Sequence, residues 1–124
     1  MQFNRVRMSM RAQTQFGNLK SRTGVTINIL ARFGICLSLK DPSSVHPESY
    51  ADNGMELHPG VLFGEHEKMF MALFLQRLEK DALDPEEYLK EHMRAHLNRG
   101  ADKLSGYMKG NLSNFYELIE IERK

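Results

Sequence analysis

Lys20, Arg22, Thr23, Gly24 and Thr26 crowd into one short stretch of the chain. Two cations close a helix, a glycine makes a turn, and hydroxyls open the next helix. Together they form a natural phosphate cradle, because the unpaired N–H groups and dipole at a helix start favour an anion that nearby cations neutralise. The competing reading is a plain capping turn with solvated Lys and Arg. The glycine spacing matches neither a P-loop nor a dinucleotide fingerprint.

Upstream, Arg5, Arg7 and Arg11 interleave with Val6, Met8 and Met10. That period of two marks a strand with one basic and one apolar face, although the run is short enough to be helical. A two-stranded basic ribbon fits a major groove, where arginines read guanine edges or grip phosphates. The alternative is a solvated edge, or salt bridges to carboxylates elsewhere. Arg32 sits within a strongly apolar segment, where an ion pair with an acid such as Glu79 or Glu91 is the leading role and DNA contact the lesser one.

These cations share a stretch with no carboxylate. Residues 1–40 hold seven Lys/Arg and no Asp or Glu, whereas the rest of the 124-residue chain holds ten Lys/Arg against sixteen Asp/Glu. The formal net charge of +1 therefore hides a polarised molecule, a basic arm on an acidic body. Such a surface suits a polyanion, and nucleic acid is the commonest one.

Other chemistries find less support. His92 and His96 are four apart, the spacing of two ligands on one helix face, but the first lacks the following Glu of zinc proteases and no Cys lies near. Ordinary surface histidines are expected there, and His46, His58 and His66 form no pattern. Ser43 and Ser44 lack a base and an orienting acid. Asp81 with Asp84, and Glu86 with Glu87, read as helix-end charges. The residues point to no catalytic group, no cofactor and no metal, hence to a binding protein and not an enzyme.

The elements that must position these groups follow from periodicity. Ala12, Phe16, Leu19 and Thr23 share one side of a helix over 12–23 that Gly24 ends. Thr26 is a good N-cap for a second helix over 27–39, apolar almost all round and so expected to be buried at the centre of the domain or in a subunit interface, with Asn28 and Arg32 on one polar edge. Gly34 within it would admit another backbone. Residues 41–63, with Pro42, Pro47 and Pro59, read as a long connection that either carries function or contains short turns. A helix over 65–83 contains seven consecutive apolar residues, Met69 to Leu75, and so has a second apolar face that self-association would cover. Asp84-Pro85-Glu86-Glu87 opens a helix to about Asn98, which Gly100 should break before a short piece from Ala101 to Met108. The tail from Leu112 to Ile121 is apolar enough to dock as a final helix.

The fold class is therefore mainly α: one compact helical domain over residues 1–124, opening on a short N-terminal β-strand or, failing that, a helix. With a strand there, the order strand, helix, helix resembles the start of ribbon-helix-helix regulators. A lone Cys36, no signal-peptide pattern and no membrane-length apolar run point to a cytoplasmic protein that does not engage membranes.

The segment LKSRTGVTINILARFGICLSL, Leu19 to Leu39, is similar to the signature of the bacterial DndE family of DNA phosphorothioation systems. Leu62-Phe63-Gly64 with Glu65, and His96 with Asn98-Arg99-Gly100, extend the resemblance over most of the chain. It implies a helical homotetramer that binds double-stranded DNA, preferably nicked, through positive surface residues. It also implies other subunits as partners, among them a cysteine desulfurase and nucleotide-using members, which replace a non-bridging phosphate oxygen by sulfur. Carried onto this chain, Lys20 and Arg22 are the first candidates for phosphate contact, with Arg5, Arg7 and Arg11 in support; no catalytic residue carries over. The rival classes are a ribbon-helix-helix regulator reading a palindrome, a metal-dependent hydrolase using His92 and His96, and a scaffold that binds only protein.

Overall fold

Ser9 decides where the first helix begins. Its Oγ accepts the Ala12 N–H at 3.0 Å, and helix α1 runs Met10–Thr23 in the computed structural model, which describes residues 2–108. The basic strand expected over 3–11 is thereby cut to β1, Val6–Arg7. Alternation survives as far as Met8, with Val6 and Met8 buried and Arg5 and Arg7 exposed. Met10 and Arg11 fall instead on α1, and Met10 is 49% exposed. β1 pairs antiparallel with β2, Glu56–Leu57, in the register Val6↔Leu57 and Arg7↔Glu56. The strand thus finds its partner within its own chain, whereas ribbon-helix-helix proteins pair their strands between subunits.

At the other end of α1, Gly24 takes φ 75° and its N–H returns to the Lys20 carbonyl at 2.9 Å, the left-handed cap that glycine adopts without a Cβ penalty. Helix α2 follows, Ile27–Lys40, stopped at Asp41-Pro42. It is buried along one side only: Leu30, Ala31, Gly34, Ile35 and Ser38 are covered, while Ile29 is 38% exposed and Phe33, Cys36 and Leu37 are half-buried. Burial within the chain therefore accounts for one face of this apolar helix and leaves the other open.

The passage 41–63 contains short elements: a 3-10 turn at Pro47–Ser49, then β2, then helix α3, Pro59–Phe63. After a second 3-10 turn at Gly64–His66, helix α4 spans Glu67–Lys80, shorter at both ends than the 65–83 expected. Helix α5 starts as its sequence requires. Asp84 Oδ1 accepts the Glu86 N–H and Pro85 occupies the first helical position.

α5 then runs unbroken through Pro85–Met108, so Gly100 does not end it. Gly100 instead faces Gly34, and the two backbones of α2 and α5 meet there. Around this crossing lies the core, with Phe16, Leu30, Ile35, Met93, Leu97 and Leu104 fully buried. A cluster of rings closes the far side: Phe63 stacks on Phe70 at 4.6 Å between centroids, and Phe3 tilts against Phe63 at 4.7 Å. The expected terminal helix over Leu112 to Ile121 lies outside the described residues. Among those described, no helix is long and apolar enough to cross a membrane.

Candidate nucleic-acid interface

The joint between α1 and α2 gathers the first group of candidates. Lys20 and Arg22 stand exposed on the last turn of α1, where positive charge also suits the helix dipole, and neither forms an ion pair among the described residues. Thr23 is committed to the turn itself. Its Oγ1 donates to the Leu19 carbonyl at 2.8 Å and accepts the Val25 N–H at 3.1 Å. Thr26 occupies the N-cap of α2, as its type suggests, but its side chain makes no capping hydrogen bond and is exposed. The first turn of α2 contains no acid. An uncommitted hydroxyl, a 14-residue helix start and two solvent-facing cations thus share one turn.

The N-terminal arginines follow in part the alternative reading, for the acidic body partly answers them. Arg5 Nη1 and Arg7 Nη2 lie 3.8 and 3.9 Å from the same Glu56 oxygen, and Arg11 Nε donates to Asp102 Oδ1 at 3.0 Å. Antiparallel register causes the first pairing, since it sets Arg7 opposite Glu56. These pairs are exposed, with arginine side chains between 49% and 77% accessible, so each is weak and open to competition by another anion.

Arg32 pairs with neither Glu79 nor Glu91. Its Nε donates to the Leu62 carbonyl at 2.6 Å and its Nη2 to the Val61 carbonyl at 3.4 Å, so it fastens α2 to α3. The polar edge predicted for α2 is real, since Asn28 reaches the Val61 carbonyl too, but its partners are backbone oxygens. Helix ends leave such carbonyls unpaired, and a guanidinium supplies the donors.

The histidine pair is also relocated. His92 and His96 are 6% and 1% exposed, not surface residues. Ser38 Oγ accepts from Arg99 Nε at 2.8 Å and shares a hydrogen bond with His96 Nδ1, also at 2.8 Å. Burial, with the Arg99 and Arg77 charges, pushes the His96 pKa down to about 3, and burial likewise lowers that of His92. No group of three or more His, Cys, Asp or Glu among the described residues is arranged to hold a metal.

Three arginines of the acidic body carry structure that the sequence did not announce. Arg77, 5% exposed, donates to the carbonyls of Leu39, Asp41 and Ser43 and pairs with Asp81 at 3.2 Å. Arg99 binds the carbonyls of Ser38 and Ser43, and Arg94 that of Tyr50. Hydrogen bonds from Lys103 and Ser43 hold the Asp41 carboxyl well below the usual carboxylate range. These three arginines, with Lys103, are thus spent on fixing the passage 38–50. Carbonyl partners leave no sequence signature, so composition alone could not find them.

One further group was missed. Lys90 and Arg94 on α5 come beside Arg5 and Arg7 and line a polar cleft of about 360 Å³ with Asp52, Glu56 and Glu91. Its only sequence signal is the four-residue spacing of Lys90 and Arg94 on one face of α5.

Residues 5–111 match the family model described as DNA sulphur modification protein DndE. Among solved structures, the chain is similar to DndE from Escherichia coli B7A, involved in DNA phosphorothioation modification. The two are 26% identical with a TM-score of 0.70, over 84% of this chain and 98% of that one. A DndE G21/24K mutant involved in DNA phosphorothioation shares the fold at 23% identity and a TM-score of 0.67, over 84% of this chain and 99% of its own. A comparison with curated protein sequences gives no match.

Proposed function

The chain belongs to the DndE family of DNA sulphur modification proteins, and from that premise we propose that it is the DNA-handling, non-catalytic subunit of a phosphorothioation system. It binds duplex DNA through backbone phosphates, with little regard to sequence and with a preference for nicked duplexes. The observation that carries this reading is the turn joining α1 to α2. Lys20 and Arg22 face solvent without ion pairs among the described residues, next to a helix start whose Thr26 hydroxyl is uncommitted. Phosphate contact there displaces counterions, so affinity falls steeply with salt. A nick lowers the cost of bending and unstacking, which lets more phosphates reach the basic surface.

The protein works as a cytoplasmic homotetramer alongside the subunits that supply the sulfur chemistry. An apolar groove of about 390 Å³ between α2 and α4, with Ile29 and Met69 open to solvent, is consistent with association of copies. Gel shifts of intact and nicked duplexes across a salt series test the reading. Retention should be lost in the Lys20→Glu/Arg22→Glu variant. Unchanged retention by that variant removes the turn as the site, and equal binding of intact and nicked duplexes removes the nick preference.

A further inference from the structure

The cleft between β1, β2 and α5 has an unusual internal balance. Arg5 and Arg7 are drawn to one oxygen of Glu56, at 3.8 and 3.9 Å, yet neither is within hydrogen-bond distance of it. Arg5 makes no hydrogen bond among the described residues. Arg7 spends one donor, Nη1, on the Gly54 carbonyl at 2.9 Å, which aims the rest of its guanidinium. Two forks with most of their donors open thus flank a single carboxylate that satisfies neither. Arg94, held by the Tyr50 carbonyl at 2.6 Å, lines the cleft, and exposed Lys90 joins it.

The chemistry missing from this arrangement is an anion with more acceptor oxygens than a carboxylate. A phosphodiester fits: it offers its oxygens to both forks at once, and charge-assisted bonds from guanidinium to phosphate are among the stronger ones available. Asp52 and Glu91, also in the lining, keep the cleft from being a general polyanion trap. The lining then holds four cations against three carboxylates.

We propose that this cleft is a second phosphate site, distinct from the α1–α2 turn, in which Arg5, Arg7 and Lys90 bind one backbone phosphate of the DNA and Glu56 is the built-in competitor which that phosphate displaces. The proposal rests on the DNA-binding reading above and adds to it a site and an internal brake.

Fluorescence anisotropy with a labelled duplex, repeated over a salt series, tests it with four proteins. Against the unaltered chain, Glu56→Gln tightens binding by about threefold and steepens the log–log salt dependence by about one, as a freed cation pair should. Lys90→Glu weakens binding. In an Arg5→Ala/Arg7→Ala background, Glu56→Gln gives no gain. Glu65→Gln, which removes one charge from the turn before α4, serves as the control for net charge and leaves affinity near that of the unaltered chain. Equal tightening by Glu65→Gln, or a gain from Glu56→Gln that survives loss of both arginines, overturns the site in favour of a long-range field. Affinity unmoved by both Glu56→Gln and Lys90→Glu overturns it outright while leaving the DNA-binding reading intact. Absence of any binding by the unaltered chain overturns both.

Discussion

Gly34 of α2 and Gly100 of α5 cross with nothing but backbone between them. A Cβ on Gly100 would stand 2.3 Å from the carbonyl carbon and oxygen of Gly34, and one on Gly34 would stand 3.0 Å from those of Gly100. Neither neighbour is a flexible side-chain end that could swing away, so the helices must part to admit a methyl group. Gly100→Ala should therefore destabilise the protein by about 3 kcal/mol or more and Gly34→Ala by about 1–2 kcal/mol, despite the gain of roughly 1 kcal/mol that Ala brings to a helix interior. Urea denaturation followed by circular dichroism measures both. A neutral Gly100→Ala variant would show that the crossing yields easily.

Arg77 gives a second stability prediction. Its buried guanidinium holds three carbonyls and the Asp81 carboxylate. Arg77→Ala strands all of them and should cost about 3–5 kcal/mol. Arg77→Lys should recover only part of this, because one ammonium cannot reach the fork's several directions. Full recovery by Lys in denaturant melts would count against the carbonyl clamp.

Stability should also fall in mild acid. The folded pKa of His96, about 3, lies below its ordinary value of 6.5, so the folded state favours the neutral ring. The contribution is present in full above pH 6.5 and is lost progressively as pH falls toward 3. At pH 5 the loss from this ring alone is about 2 kcal/mol, and His92, shifted in the same direction, adds to it. Asp41 extends the trend below its ordinary 3.8, since its folded pKa is lowered as well. Denaturation midpoints at pH 7 and pH 5 decide the matter, and equal midpoints would exclude it.

Within the α1–α2 turn, the two threonines should behave differently. Thr23→Val removes a donor to Leu19 and an acceptor for Val25, so it should cost stability, about 1 kcal/mol, before it touches affinity. Thr26→Val removes an exposed hydroxyl that caps nothing through its side chain and should weaken DNA retention with little change in melting. Parallel melts and gel shifts separate the two, and identical profiles would contradict the division of labour.

Met69, 52% exposed on α4 opposite Ile29 of α2, tests the proposed assembly. Met69→Lys places a charge in the groove and should lower the mass measured by light scattering without lowering helix content. Unchanged mass would move the subunit contact elsewhere.

The helices were legible where apolar spacing and caps agreed. Gly24, Asp84-Pro85 and the Ala12–Phe16–Leu19 face all act as their types suggest. Gly34 was read correctly as a point of close approach, and Gly100 misread as a break, because a glycine in a helical pattern serves either role and only the partner helix decides. The basic arm was visible as a run of charge. Which carboxylates answer it was not, because Glu56 and Asp102 are brought to it by register and packing that no local pattern encodes. His92 and His96 looked superficial because only packing brings Ser38 of α2 and Phe74 of α4 against His96.

The pairing of Val6 with Leu57 also bears on the order in which the molecule assembles. The register of Val6 and Arg7 cannot form until the second strand has been made, since the residues that fix it are remote in sequence. During synthesis the arginines therefore emerge well before Glu56, their eventual counterweight. Until then Arg5 and Arg7 lack the carboxylate that partly answers them in the finished fold, whereas Lys20 and Arg22 stay open in it.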